Sequence, residues 1–185
     1  MKYFVIFTLL AFLVVVGYMD LLRHIIGRDY WEGLNVVPIV MAAEIMMGVY
    51  FNLSFWYKLI DKTIWGAYFS GIGCLVLIAI NLIFVPQYGY IACAWAGVAG
   101  YGTAMILSYI VGQKKYPIDY PVKDIMIYVV LAIVLFAGMT QVNKYLSPIM
   151  ALAANTVLIL IFTAYLVKKD FPLSSLPIVG KYFRK

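Results

Sequence analysis

Glu44 is the residue of this sequence whose chemistry most needs a reason. It stands near the middle of an apolar stretch from Asn35 to Thr63, NVVPIVMAAEIMMGVYFNLSFWYKLIDKT. An acidic residue at the centre of a membrane helix costs about 2.5–3.5 kcal/mol on insertion scales. A carboxylate at that depth therefore needs a proton, a partner or water. Gly48 and Asn52 follow at i+4 and i+8 and share one helical stripe with it. Such a stripe is expected to face protein or a water-filled cavity, so Glu44, Gly48 and Asn52 are candidate cavity-lining residues. Asn81 and Asn155, amides inside other apolar segments, join them as candidates for lining a pathway or bonding a neighbouring helix.

Other reactive side chains are sparse. His24 is the single histidine and lies near a segment end, where it is expected to be solvated. Cys74 and Cys93 fall in apolar segments without metal-ligand spacing and read as small buried residues. No Gly-rich phosphate loop, HExxH, CxxC or Ser/His pair at membrane depth occurs, so the sequence supports no enzyme, metal or cofactor.

The elements that hold these residues are set by composition. Of 185 residues, 65% are hydrophobic and only 12% charged, far from the balance of a soluble domain. The expected fold class is all-α, a single polytopic membrane bundle over 1–185. Its six spans lie at about 3–22, 35–57, 64–85, 88–112, 123–142 and 148–167, and 168–185 forms a basic cytoplasmic tail. The net charge of +6 sits at span ends, which points to topology and lipid headgroups rather than nucleic acid. With the N-terminus inside, eleven cations fall on inner segments and only Arg23, Arg28 and Lys144 outside. Both termini are then cytoplasmic. In the fourth span Ala92, Ala96, Gly100, Ala104 and Ser108 recur every four residues, a small-residue stripe that lets another helix approach closely in lipid. Gly66, Ser70 and Cys74 make a shorter stripe in the third.

Three blocks carry a family resemblance: VPIVMAAEIMMGVYFNLSFWYKLIDKTIWGAYFSGIG, FVPQYGYIACAWAGVAGYGTAMILSY and GQKKYPIDYP, with the closing SLPIVGKYFRK. Together they resemble polysaccharide flippases of the multidrug/oligosaccharidyl-lipid/polysaccharide exporter superfamily. That resemblance implies a fold of about twelve to fourteen helices in two lobes around a central cavity. It implies a carrier that moves undecaprenyl-linked oligosaccharide, of the O-antigen kind, across the bacterial cytoplasmic membrane by alternating access. The chain corresponds to the last six helices, so a truncated member, a fragment or one piece of a split gene is expected, inactive alone. Its expected partners are the lipid-linked oligosaccharide, membrane lipids, and the missing N-terminal lobe or other polysaccharide-assembly proteins. A drug/cation antiporter of the same superfamily and a non-transporting membrane assembly protein are the alternatives.

Overall fold

Hydrocarbon offers no hydrogen-bond partners, so a chain this apolar must satisfy its backbone within its own segments. The computed structural model describes residues 1–170, and among them there are helices and turns but no strand. In order they are α1 (Lys2–Gly17), α2 (Met19–Ile25), α3 (Val37–Leu53), α4 (Phe55–Leu59), α5 (Ile64–Tyr88), α6 (Tyr90–Lys115), α7 (Val122–Tyr145) and α8 (Pro148–Asp170). Two short 3-10 turns, Arg28–Tyr30 and Glu32–Val36, lead into α3. Five segments are long and apolar enough to cross a membrane: Arg28–Leu59, which carries α3 and α4, and each of α5 to α8. A sixth is present if α1 and α2, bent by 66°, count as one.

The element ends differ from the sequence expectation where local chemistry was stronger than hydropathy. The first segment is broken at Tyr18 instead of running unbroken from 3 to 22. Helix α5 continues through Pro86 to Tyr88, although the proline has no N–H to give to the Leu82 carbonyl four residues back. Gly89 ends it at φ 58°, a conformation that favours glycine, and its N–H donates to Val85 O at 2.8 Å. Helix α8 takes in Lys168 to Asp170; the expected tail from 171 onward lies outside the described residues.

The chain divides into two units. One comprises 1–5 and 26–122, with α6 packed against both α3 and α5. Small residues make that packing possible: Ala92, Ala96, Gly100, Ala104 and Ser108 are all buried. A Cβ on Gly73 would lie 2.8 Å from Gly100 O, and one on Gly100 would lie 2.8 Å from Gly73 O. Two backbones thus meet where neither carries a side chain. The contact on α5 is made by Gly73 and Phe69; Cys74, expected on this stripe, is exposed one position further round. Trp56 closes the unit at the Lys58 end, 1% exposed, with its indole N–H donating to Ser108 Oγ at 3.4 Å. Gly112 makes room for it, since a Cβ there would stand 2.8 Å from the indole.

The other unit comprises 6–25 and the chain from 123. Leu13, Tyr128, Met139 and Phe162 are its fully buried large side chains, and Phe12 meets Phe136 with ring centroids 5.5 Å apart. The end of α8 is tied to the start of α7 by polar groups. Tyr128 donates its hydroxyl proton to Asp170, and Lys169 Nζ lies 3.0 Å from Asp124 Oδ1 and over the Tyr128 ring.

Cys74 and Cys93 are both exposed, which corrects the expectation that they are buried. The inference failed because an apolar segment in lipid turns apolar side chains outward as readily as inward, so hydropathy does not report burial there.

Candidate functional site

The unit built on α3, α5 and α6 holds a cleft of about 310 Å³. Its α3 wall is Met47, Tyr50 and Phe51, its α5 wall is Ser70, Gly73, Cys74 and Leu77, and its floor is Gly100, Tyr101 and Ala104 of α6. The floor is deep because the Gly73–Gly100 crossing carries no side chains. The Tyr50 hydroxyl donates to Gly66 O at 3.1 Å, so Ser70, 2.9 Å away, is the donor to Tyr50. That chain of bonds fixes α3 to α5 and gives the cleft a polar wall in an apolar surrounding.

Glu44 continues the α3 wall. It precedes Met47 by three residues and Phe51 by seven, so the three share a face. It is exposed, and it makes no hydrogen bond or ion pair among the described residues. Val40, Phe51 and Phe55 are exposed on the same face, so the carboxylate is the one charged group of an otherwise apolar stripe.

Asn81 continues the α5 wall, four residues beyond Leu77 and seven beyond Cys74. Its Oδ1 is buried without a hydrogen-bond partner. The packing puts Asn81 and Glu44 at one level. Ala43 stands 3.5 Å from a Cβ position on Gly97, and Leu77 stands 3.0 Å from one on Gly100. Helix α5 runs antiparallel to α6, and at about 1.5 Å per residue the four residues from Leu77 to Asn81 bring it back to the level of Gly97. By this register Glu44 and Asn81 stand at one level just beyond the residues that line the cleft, the carboxylate exposed and the amide oxygen buried. Both are acceptors without a donor among the described residues.

The remaining sequence candidates are placed elsewhere. A Cβ on Gly48 would run into the Phe4 ring, so the space over Gly48 is filled by that ring. Asn52 donates from Nδ2 to Gly48 O at 3.0 Å, which spends its amide on its own helix. Asn155 belongs to the other unit, is 1% exposed, and donates to Gly17 O and Asn143 Oδ1. His24 is exposed, with Nδ1 2.8 Å from Asp20 O. Tyr50 and Ser70 were not candidates from sequence. A tyrosine and a serine in apolar segments read there as interfacial or packing residues, and only the α3–α5 approach makes them neighbours.

Comparison with protein-family models, with curated proteins and with solved structures finds no match for this chain.

Proposed function

We propose that this chain is part of a carrier that passes a lipid-linked oligosaccharide across a membrane, with the exposed Glu44 beside the cleft meeting the sugar. The observation that carries the reading is Glu44 itself, exposed near the centre of the 32-residue span Arg28–Leu59 and without a hydrogen bond or ion pair among the described residues. An unpaired carboxylate at that depth is expensive unless a polar ligand or water meets it. A sugar is rich in hydroxyl donors, which is what a carboxylate without a partner lacks. The lipid tail stays in hydrocarbon while the polar head passes along protein, and a pathway closed alternately on each side needs a second lobe opposite this one. Six spans, with α1 and α2 as the first, and both chain ends on the lysine-rich cytoplasmic face complete the proposed arrangement.

The test is a chimera in which this chain replaces the corresponding helices of a complete oligosaccharide carrier, expressed in a strain lacking its own. The chimera should restore surface polysaccharide, and Glu44→Gln should abolish export while reaching the membrane in normal amounts. Full export by the Gln chimera contradicts a charge or proton role for Glu44. Export of a cationic drug in place of polysaccharide would favour the antiporter reading.

A further inference from the structure

Helix α1 stops at Gly17, α2 starts at Met19, and the two are turned by 66°. In an unbroken helix the Gly17 carbonyl would accept from the N–H of Leu21. Here Leu21 N–H and Leu22 N–H both donate to Tyr18 O at 3.0 Å. The freed Gly17 carbonyl accepts from Asn155 Nδ2 of α8 at 3.0 Å. The other proton of that amide goes to Asn143 Oδ1 of α7 at 2.8 Å. Thr156 spends its own proton on Leu152 O, so Tyr18 is the donor in their 2.9 Å bond. One polar cluster thus holds the break from α7 and α8. Turning the Asn155 amide over would aim Oδ1 at the Gly17 carbonyl, acceptor against acceptor, so its orientation is fixed.

We propose that Gly17–Tyr18 is a two-state hinge and that Asn155 is the latch of its bent state. In the other state Leu21 N–H returns to Gly17 O, and α1 and α2 run on as one helix. Three observations support an exchange in place of a fixed kink. The backbone bond lost on bending has a ready replacement of the same kind, so each state satisfies the Gly17 carbonyl once. Asn155 Oδ1 is buried without a donor in the bent state, a desolvated acceptor that keeps this state from being deeply favoured. Helix α2 has no fully buried residue, only the half-buried Met19, Asp20 and Leu22, so a swing gives up less packing than moving a core helix would.

The lengths give the consequence. Helix α1 alone, with 16 residues, spans about 24 Å, short of the hydrocarbon core of about 30 Å. A continuous helix from Lys2 to Ile25 spans about 36 Å and crosses it. The hinge therefore converts a short span with a polar foot, carrying Asp20, Arg23 and His24, into a full crossing. It stands whether or not the chain carries a lipid-linked sugar.

The test is a distance measurement by pulsed electron paramagnetic resonance on the full chain in lipid nanodiscs. Spin labels replace Phe7 and Ile25, 72% and 80% exposed, with Cys74 and Cys93 changed to alanine. At 1.5 Å per residue the Cα separation is about 27 Å straight and about 23 Å at the observed bend. The short distance should predominate in the parent, which carries the latch, with a minor long population. Asn155→Leu, which fills the volume without a donor, should shift the distribution to the long distance. Leu21→Pro removes the N–H that the straight state must give to Gly17 O, whereas in the bent state Tyr18 O still accepts from Leu22 N–H, and should return the Asn155→Leu protein to the short distance. Asn143→Ala, which leaves the bond to Gly17 intact, should not move it. An unchanged short distance in folded Asn155→Leu overturns the latch. Should that variant not fold, Leu21→Pro alone decides: a parent with no long population for it to remove overturns the two-state hinge.

Discussion

Gly100→Ala is the substitution whose effect the packing sets most tightly. The new Cβ would stand 2.8 Å from Gly73 O and 3.0 Å from Leu77 Cβ, where ordinary contact begins at 3.4 Å. The Gly73 oxygen is backbone, so no side-chain rotation relieves it. Helices α5 and α6 must part by about 0.6 Å, the difference between 3.4 and 2.8 Å. A gap of that size forfeits about a quarter to a half of each dispersion contact, worth about 0.1–0.2 kcal/mol apiece. Over about 20–30 atom pairs at the crossing the loss is on the order of 1–2 kcal/mol, within the range of about 1–3 kcal/mol for overpacked cores. Alanine also gains about 1 kcal/mol over glycine in helix propensity, which hides part of that cost. Gly71→Ala on α5 supplies the correction, since nothing lies within 4 Å of a Cβ there. The quantity to measure is the difference between the two variants in thermal unfolding in detergent. Gly100→Ala should melt below Gly71→Ala by about 2–8 °C, taking about 2–4 °C per kcal/mol for a chain of this size. Gly73→Ala should behave like Gly100→Ala, and the double variant should cost less than the sum, because one parting of the helices accommodates both methyl groups. Equal melting of Gly100→Ala and Gly71→Ala would refute the close crossing.

Gly89→Ala should destabilise by about 1–3 kcal/mol, because alanine must hold a φ of 58° that suits glycine; unfolding in detergent reads the loss. Gly112→Ala should displace Trp56, whose indole lies 2.8 Å from the new Cβ, and shift its fluorescence, whereas Gly33→Ala, with open space around it, should not. Single cysteines at Lys115 and Lys144, in a background without Cys74 and Cys93, should react with impermeant reagent from opposite sides of the membrane. Labelling of both from one side would contradict the proposed topology.

The helices were legible in the sequence because each is a long apolar run, and in lipid a run of that length has few alternatives to helix. The stripe from Ala92 to Ser108 was legible for a related reason: small residues at a strict four-residue repeat are seldom needed except where helices touch. The partner of that stripe was less so. Gly66, Ser70 and Cys74 have the same repeat as the true contact through Gly73, and the phase between two helices is not written in either one alone. The break at Tyr18 had a weak signal, a glycine followed by Tyr18, Asp20 and Arg23, but the donor that takes up the freed Gly17 carbonyl is Asn155, 138 residues away. Glu44 was visible as a lone acid in an apolar stretch, and its exposure follows from the phase of α3. Gly48 and Asn52 share that phase in projection but not its environment, because Phe4 covers one and the other bonds to its own helix.

The central claim, that Glu44 meets the sugar of a lipid-linked oligosaccharide, is tested most directly by native mass spectrometry of the purified chain. Undecaprenyl diphosphate with and without its oligosaccharide are offered in equal amounts. The account predicts that the sugar-bearing lipid is retained preferentially and that Glu44→Ala erases the preference, leaving binding of the bare lipid unchanged. Equal retention of the two lipids by the parent chain, or a preference that survives Glu44→Ala, would contradict it.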